Sequence, residues 1–230
     1  MTLRQLSIFF ALAAGLHAQP ASVPPENVSV EFRLYAWQTD VASLRFGPNS
    51  VIEEVEASSR SVVHKYEGPS VLQFTLAKNK PVNGRPPAPA AVVNLPPGVK
   101  KLTLLTIAGG GNTYRMYVLP EDEAALPSKH ARLYNLTTTT LRVNYNETDL
   151  VEIPSAQSAL LSAKGRGIVA VVSRMHNGRW RPMFSGVIMP QAAGGPNVLL
   201  ANGMDNSAVN MFSVPAWPSK PAPADPDTAP

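Results

Sequence analysis

Along much of the chain apolar and polar residues alternate with a period of two, the pattern of strands that bury one face. Val28, Val30, Phe32 and Leu34 fall on one side of an extended segment, and Ser29, Glu31, Arg33 and Tyr35 on the other. Ala42, Leu44 and Phe46 alternate with Ser43 and Arg45, and Leu141, Val143 and Tyr145 with Thr140, Arg142 and Asn144. The arginines are thereby expected on outward faces. Leu102 to Leu105 and Ile168 to Val172 are almost continuously apolar and read as central strands or strands covered on both sides. Turn formers such as Gly47-Pro48-Asn49, Asn83-Gly84, Gly109 to Asn112, Asn177-Gly178 and Gly194-Gly195-Pro196 separate these segments. They recur roughly every ten to fifteen residues, which suits sandwiches of about seven strands. Only Pro120 to Leu126 has a composition that could form a turn or two of helix.

The same pattern occurs twice. Arg33-Leu34-Tyr35 returns as Arg132-Leu133-Tyr134, and Ser43 to Phe46 as Thr140 to Val143. Glu54-Val55 answers Glu152-Ile153, and Asn83-Gly84-Arg85 answers Asn177-Gly178-Arg179. Val92-Val93 matches Val187-Ile188, Leu104-Leu105 matches Leu199-Leu200, and Met116-Tyr117 matches Met211-Phe212. Order is kept throughout, and two of the matches are polar triplets that strand propensity does not dictate, so duplication explains them better than shared turn chemistry. The fold class expected is all-β: two tandem, duplicated Ig-like β-sandwich modules, over residues 27–122 and 129–217, after a signal peptide at residues 1–18. Glu121 to Ser128 is a short connection that brings the modules into contact. Residues 218–230 form a proline-rich tail too poor in apolar residues to pack, and are expected to be disordered.

The leader is read from Arg4, the apolar run Leu6 to Leu16 and the small residue Ala18. That run is too short for a spanning helix, and no later stretch is long enough either, so a soluble exported protein without a membrane span after leader removal is expected. Cysteine is absent, so neither disulfides nor a lipid on cysteine can contribute, and export to a bacterial periplasm or medium fits best. The formal net charge is +4, Arg4 included. The basic residues are scattered, and without a stripe or motif to neutralise phosphates a nucleic-acid partner is not expected.

Chemistry-bearing motifs are scarce. His64, His130 and His176 are isolated from one another in sequence, so neither a metal nor a cofactor is expected. Gly109-Gly110-Gly111-Asn112 has strand patterns on both sides and reads as a hairpin loop, not a phosphate cradle. Glu53, Glu54 and Glu56 read as the acidic margin of an edge strand. Three Asn-x-Ser/Thr triplets, at Asn27, Asn135 and Asn146, would be glycan acceptors in a eukaryotic secretory pathway. The most suggestive feature is the turn Asn177-Gly178-Arg179-Trp180-Arg181-Pro182. An indole beside two guanidinium groups can stack on a sugar ring or grip an anionic polymer. Arg179, Trp180 and Arg181, with Arg85 in the corresponding turn of the first copy, are the candidate ligand-binding residues; no catalytic residue is expected.

A leader followed by a tandem of Arg-Leu-Tyr-initiated β modules, with the run Arg132-Leu133-Tyr134-Asn135, resembles exported bacterial accessory proteins with paired β-sandwiches, the periplasmic accessory factors of alginate acetylation among them. The resemblance lies in architecture and that short run, and it transfers no functional residue. The function expected is that of a non-enzymatic binding or scaffolding protein of the envelope, with another envelope protein or a polysaccharide as partner. Two alternatives stand beside it: a carbohydrate-active enzyme or its accessory subunit, and a surface-appendage subunit donating the strand Ala21 to Val30.

Overall fold

The computed structural model describes residues 26–47, 50–81, 83–122, 126–190, 197–202 and 208–214. The expected leader, Trp217 and the tail 218–230 lie outside the described residues. Eight strands come from the first half: β1 (Asn27–Ala36), β2 (Leu44–Arg45), β3 (Val51–Ile52), β4 (His64–Pro69), β5 (Val71–Leu76), β6 (Ala91–Asn94), β7 (Lys101–Ala108) and β8 (Tyr114–Pro120). Eight more follow: β9 (His130–Asn135), β10 (Leu141–Tyr145), β11 (Asp149–Ile153), β12 (Ser158–Ser162), β13 (Ile168–His176), β14 (Arg179–Ile188), β15 (Asn197–Asn202) and β16 (Val209–Val214). Among the described residues there is no helix. In the segment expected to form one, the Leu126 amide donates to the Asp122 carbonyl.

The strands form four sheets of four in two pairs. In the first pair the orders are β4-β1-β7-β8 and β3-β2-β5-β6, and in the second β12-β9-β15-β16 and β11-β10-β13-β14. Each order in the second pair is the first-pair order shifted by eight strands. The hand of pairing is kept as well, since β1 runs parallel to β7 and β9 parallel to β15. Each module thus has one more strand than the turn spacing suggests.

The alternation seen in the sequence sets the inward faces. Val30, Phe32 and Leu34 of β1 are buried against Leu44, Ile52, Leu72 and Phe74 of the facing sheet. Phe32 meets Phe46 and Phe74 edge-on, at 5.0 and 6.1 Å between ring centroids. The second core is aliphatic: Leu133, Leu141, Val143, Leu161, Ile168 and Val172 are all buried. Each such side chain stabilises the fold by about 1.5–3 kcal/mol relative to an exposed one.

Pairing register sharpens the repeat. Asn83-Gly84 and Asn177-Gly178 are both left-handed pairs, at φ 53° and 73° and at φ 49° and 75°, which makes them the same type I′ turn. Val93 opposite Leu72 matches Ile188 opposite Ile168. Two sequence matches shift. Tyr35 lies opposite Leu105 and Tyr134 opposite Leu199, so Leu199 stands in the place of Leu105, one residue from the match read in the sequence. Val41 bridges Val55 where Leu141 faces Ile153, so Val41, not Leu44, takes the place of Leu141. The shared arginine of Ser43 to Phe46 and Thr140 to Val143 is therefore no positional counterpart.

The expectation of outward arginines also needs correction. Arg33 and Arg132 point away from the core of their own sandwich, but they do not face open water and both are only partly exposed. The outer faces of β4-β1-β7-β8 and β12-β9-β15-β16 meet, and Leu105, Leu119, Tyr134, Leu199 and Val214 are buried between them. Tyr134 donates its hydroxyl to the Val118 carbonyl across this junction at 3.1 Å. Burial, and then the neighbouring Arg60, lower the Arg33 pKa below the usual arginine value, while Glu121 pulls it back up. β7 is therefore covered on both faces, as its continuous apolar run suggests. β13 is central in its sheet, but Val169 on its outer side is open to solvent.

Candidate functional site

The candidate site lies on the outer face of the sheet β11-β10-β13-β14. Trp180 sits at the second position of β14, opposite Met175 of β13, and is half-buried. Because successive strand residues project to opposite faces, Arg179 and Arg181, both exposed, share the face of the sheet opposite to that of Trp180. A guanidinium from two strands away covers Trp180 instead: the Arg142 Cζ stands 4.2 Å from the Trp180 ring centroid.

Arg142 is held in that position. Its Nε and one terminal nitrogen donate to Glu152 Oε1 at 3.1 and 2.6 Å, and Arg142 and Glu152 are direct cross-strand partners on β10 and β11. Core-facing Leu141 and Val143 fix the outward direction of Arg142, and Ser173 bridges in register between Arg142 and Pro182. One row across four strands thus reads Glu152, Arg142, Ser173, Pro182, with the indole beside it. The carboxylate both fixes and neutralises the guanidinium that caps the indole, so this end of the face presents little net charge.

The rest of the face mixes apolar residues with the exposed Asn144 and Ser185. Leu150, Val169, Met175 and Val187 are each about half exposed, with Leu150 and Val171 flanking Asn144, and Val169 opposite Val187. A cluster of this kind on a surface marks a contact site more often than isolated apolar residues do. The first copy keeps only part of it: Val92, half exposed, stands where the second copy has Val187, but by turn and strand register Pro86 stands where it has Trp180, and Gln73 where it has Val169.

Arg85 lies in the first copy's turn, in a shallow cleft with Asn83, Pro86, Pro87 and Ala88. That lining comes wholly from its own segment, so the site candidates divide into two places. His64 packs its ring 5.6 Å from both Phe32 and Phe46, and burial lowers its pKa. His130 Nδ1 lies 2.8 Å from the Ser128 carbonyl, and His176 is exposed. Among the described residues no three His, Cys, Asp or Glu side chains are grouped to hold a metal ion, and no helix is long and apolar enough to cross a membrane. Gly111 and Asn112 form the tight turn of the β7-β8 hairpin, at φ 66° and 63°.

The three Asn-x-Ser/Thr triplets differ in accessibility. Asn135 is fully buried and its amide is spent: Nδ2 donates to the Thr139 and Ile153 carbonyls, both at 2.8 Å. Its Oδ1 accepts from the Thr137 amide at 2.9 Å and the Thr137 hydroxyl at 2.7 Å. Asn146 occupies a left-handed position in the β10-β11 turn, at φ 49°, and donates to the Ser162 carbonyl at 2.7 Å. Asn27 is exposed at the start of β1.

Sequence reasoning found Trp180 but missed Arg142 and Glu152 as its partners. The available signal was the outward alternation of both residues; the pairing itself depends on strand register, which is not local. No known protein family and no curated protein matches this chain.

Proposed function

We propose that the protein is an exported, non-enzymatic envelope protein that binds another envelope protein or a polysaccharide through the outer face of its second sandwich. The observation that carries this reading is the Trp180–Arg142–Glu152 arrangement on a half-exposed, partly apolar sheet face. An indole held flat by a fixed guanidinium is a rigid platform that loses little freedom when a ligand lands on it. The indole is specific to the second copy, Pro86 taking its place in the first, as expected when duplication leaves one copy to keep the scaffold and the other to diverge. The leader read in the sequence supports a periplasmic or secreted location, and paired sheets linked by short turns support an Ig-like description of each module.

The rival carbohydrate-active reading needs carboxylates free to act beside the indole. Glu152, the carboxylate tied to Trp180 through Arg142, is committed to that arginine. The appendage reading takes Ala21 to Val30 as an unpaired donor strand; Ala21 to Pro25 lie outside the described residues, and Asn27 to Val30 pair with Gly68, Pro69 and their neighbours in β4 of the same chain.

The test is a glycan-array and envelope-protein pull-down with the exported form, run beside Trp180→Ala and Arg142→Ala. Retention of a defined polysaccharide or envelope protein by the parent, reduced at least about tenfold by each variant, is expected; tenfold corresponds to about 1.4 kcal/mol of contact energy. Equal retention by all three forms would move the binding face elsewhere.

A further inference from the structure

The junction between the two sandwiches is built from the same positions of both copies. Tyr35 lies opposite Leu105, which lies opposite Tyr117; Tyr134 lies opposite Leu199, which lies opposite Phe212. These three pairs of equivalents all belong to the one cluster at the junction. One row away, Arg33, Thr103 and Leu119 correspond to Arg132, Asn197 and Val214, and Leu119 and Val214 are again both buried there.

A fifth pair follows from the strand ends. The Trp37 amide donates to the Thr106 carbonyl at 2.9 Å as the Leu136 amide donates to Leu200 at 2.8 Å, so Leu136 stands in the place of Trp37, and both join the cluster. The contacts cross over: Trp37 of the first copy rests edge-on against Phe212 of the second, with ring centroids 4.9 Å apart. The mirror contact sets Leu136 against Tyr117, and both residues belong to the same cluster; the symmetry is approximate, since Tyr134 bonds the Val118 carbonyl whereas its equivalent Tyr35 has the Arg60 guanidinium 5.7 Å from its ring centroid. A patch that meets its own equivalent, with position i on position j and j on i, is the mark of a two-fold, isologous contact; a head-to-tail contact joins two different patches.

We infer that the chain is a tethered two-fold dimer, and that the face formed by β4-β1-β7-β8, like its equivalent in the second copy, binds a second copy of the same module and not only its partner in the chain. The chemistry of the face suits this. Its centre is aliphatic and aromatic, Tyr134 reaches a backbone carbonyl that every copy has, and the charged equivalents Arg33 and Arg132 stand one row from that centre, with Glu121 near Arg33. The inference is independent of what the outer face of the second sandwich binds.

The experiment uses the full chain with a protease recognition sequence inserted between Asp122 and Leu126, cut after folding. Cut protein is analysed by size-exclusion chromatography with light scattering, and by native mass spectrometry, which separates the two halves by mass. The halves are expected to stay together at the mass of the uncut chain. On dilution and reconcentration, first–first and second–second pairs are expected at no less than about a tenth of the first–second pair, a gap of about 1.4 kcal/mol. The Leu199→Arg variant, folded and cut in the same way, is expected to release its halves, because it puts a charge at the centre of the face while the uncut tether still holds the chain. Separation of the parent halves on cutting, loss of their β-sheet circular dichroism, or recovery of first–second pairs alone would each overturn the inference.

Discussion

Trp37 and Phe212 meet edge-on across the junction of the two sandwiches, their rings at 86° and 4.9 Å between centroids. The contact joins the end of β1 to β16, residues 175 positions apart in the chain, so it couples the two modules directly. Edge-to-face aromatic pairs contribute about 0.5–1.5 kcal/mol beyond the area they bury. Truncation also leaves a space between two rigid sheets.

Phe212→Ala is therefore expected to cost about 2–3 kcal/mol, and its effect should show in cooperativity as well as in midpoint. Urea unfolding followed by tryptophan fluorescence and by far-ultraviolet circular dichroism should coincide in the parent. In the variant the two probes are expected to separate, as the modules begin to unfold one at a time. Coincident curves with an unchanged midpoint would show that the junction carries no coupling.

Asn135 is the polar residue whose loss should cost most. Its four hydrogen bonds hold the chain where it leaves β9 and crosses to the facing sheet, three of them buried and the one to the Thr139 carbonyl partly so. Asn135→Ala leaves the Ile153 carbonyl without the Asn135 donor and the Thr137 amide without its acceptor, while the Thr139 carbonyl keeps the Thr137 hydroxyl at 3.0 Å, at about 1–3 kcal/mol for each buried group left unsatisfied. A total loss of about 3–4 kcal/mol is expected. Asn135→Asp keeps the size but removes both donors, and is expected to be as damaging; Asn27→Ala, at an exposed site, should fall within about 0.5 kcal/mol of the parent. Thermal unfolding of the three variants checks this. A tolerated Asn135→Asp would mean that the donors facing Thr139 and Ile153 are dispensable.

Much of this fold was legible in the sequence because its cause is local. A period of two sorts Val30, Phe32 and Leu34 from Arg33 and Tyr35 whatever the rest of the chain does, and Asn-Gly pairs enter a type I′ turn at little steric cost. The repeat was legible for the same reason. What covers an outward face is not local. Arg33 and Tyr35 read as solvent-facing because nothing in β1 records that the second sandwich lies on them. Trp180 was visible as an unusual aromatic in a turn, but its cap comes from β10, and only the register that sets Arg142 opposite Glu152 and Ser173 brings it there. Linear adjacency misled in the case of Arg179 and Arg181, which the strand places on the opposite face from their neighbour.

His64 should make the first sandwich sensitive to acid. Its ring lies against Phe32 and Phe46, and burial lowers its pKa below the ordinary histidine value of 6.5. The folded state thus resists a proton that the unfolded chain accepts. Stability contributed by the neutral ring is complete above 6.5, and declines as pH falls from there toward the lower folded value. The slope cannot exceed about 1.4 kcal/mol per pH unit for one site. Urea midpoints between pH 7.5 and 5.5 are expected to fall in the parent and to fall less in His64→Phe, which keeps an aromatic ring in place without a titrating nitrogen. Parallel curves would assign the acid sensitivity to other groups.

The Arg142 cap over Trp180 is open to a spectroscopic test separate from any ligand. Arg142 and Glu152 are 30% and 44% exposed in their side chains, so their ion pair adds at most about 1 kcal/mol, and the cation over the indole a similar amount. Stability is therefore a poor reporter, and the environment of the indole a good one. Removing the guanidinium in Arg142→Ala uncovers one ring face to water, so Trp180 emission should move to longer wavelength and acrylamide should quench it more strongly. Glu152→Gln frees the guanidinium without deleting it, and should give a smaller change in the same direction. The Trp180 contribution is isolated by subtracting spectra of Trp180→Phe, since Trp37 and Trp217 also emit. If Glu152→Gln leaves the spectrum unchanged while Arg142→Ala shifts it, the sheet register alone holds the cap and the carboxylate serves only to balance its charge. If neither variant shifts it, the indole is covered by something other than Arg142, and the rigid platform on which the binding proposal rests does not exist.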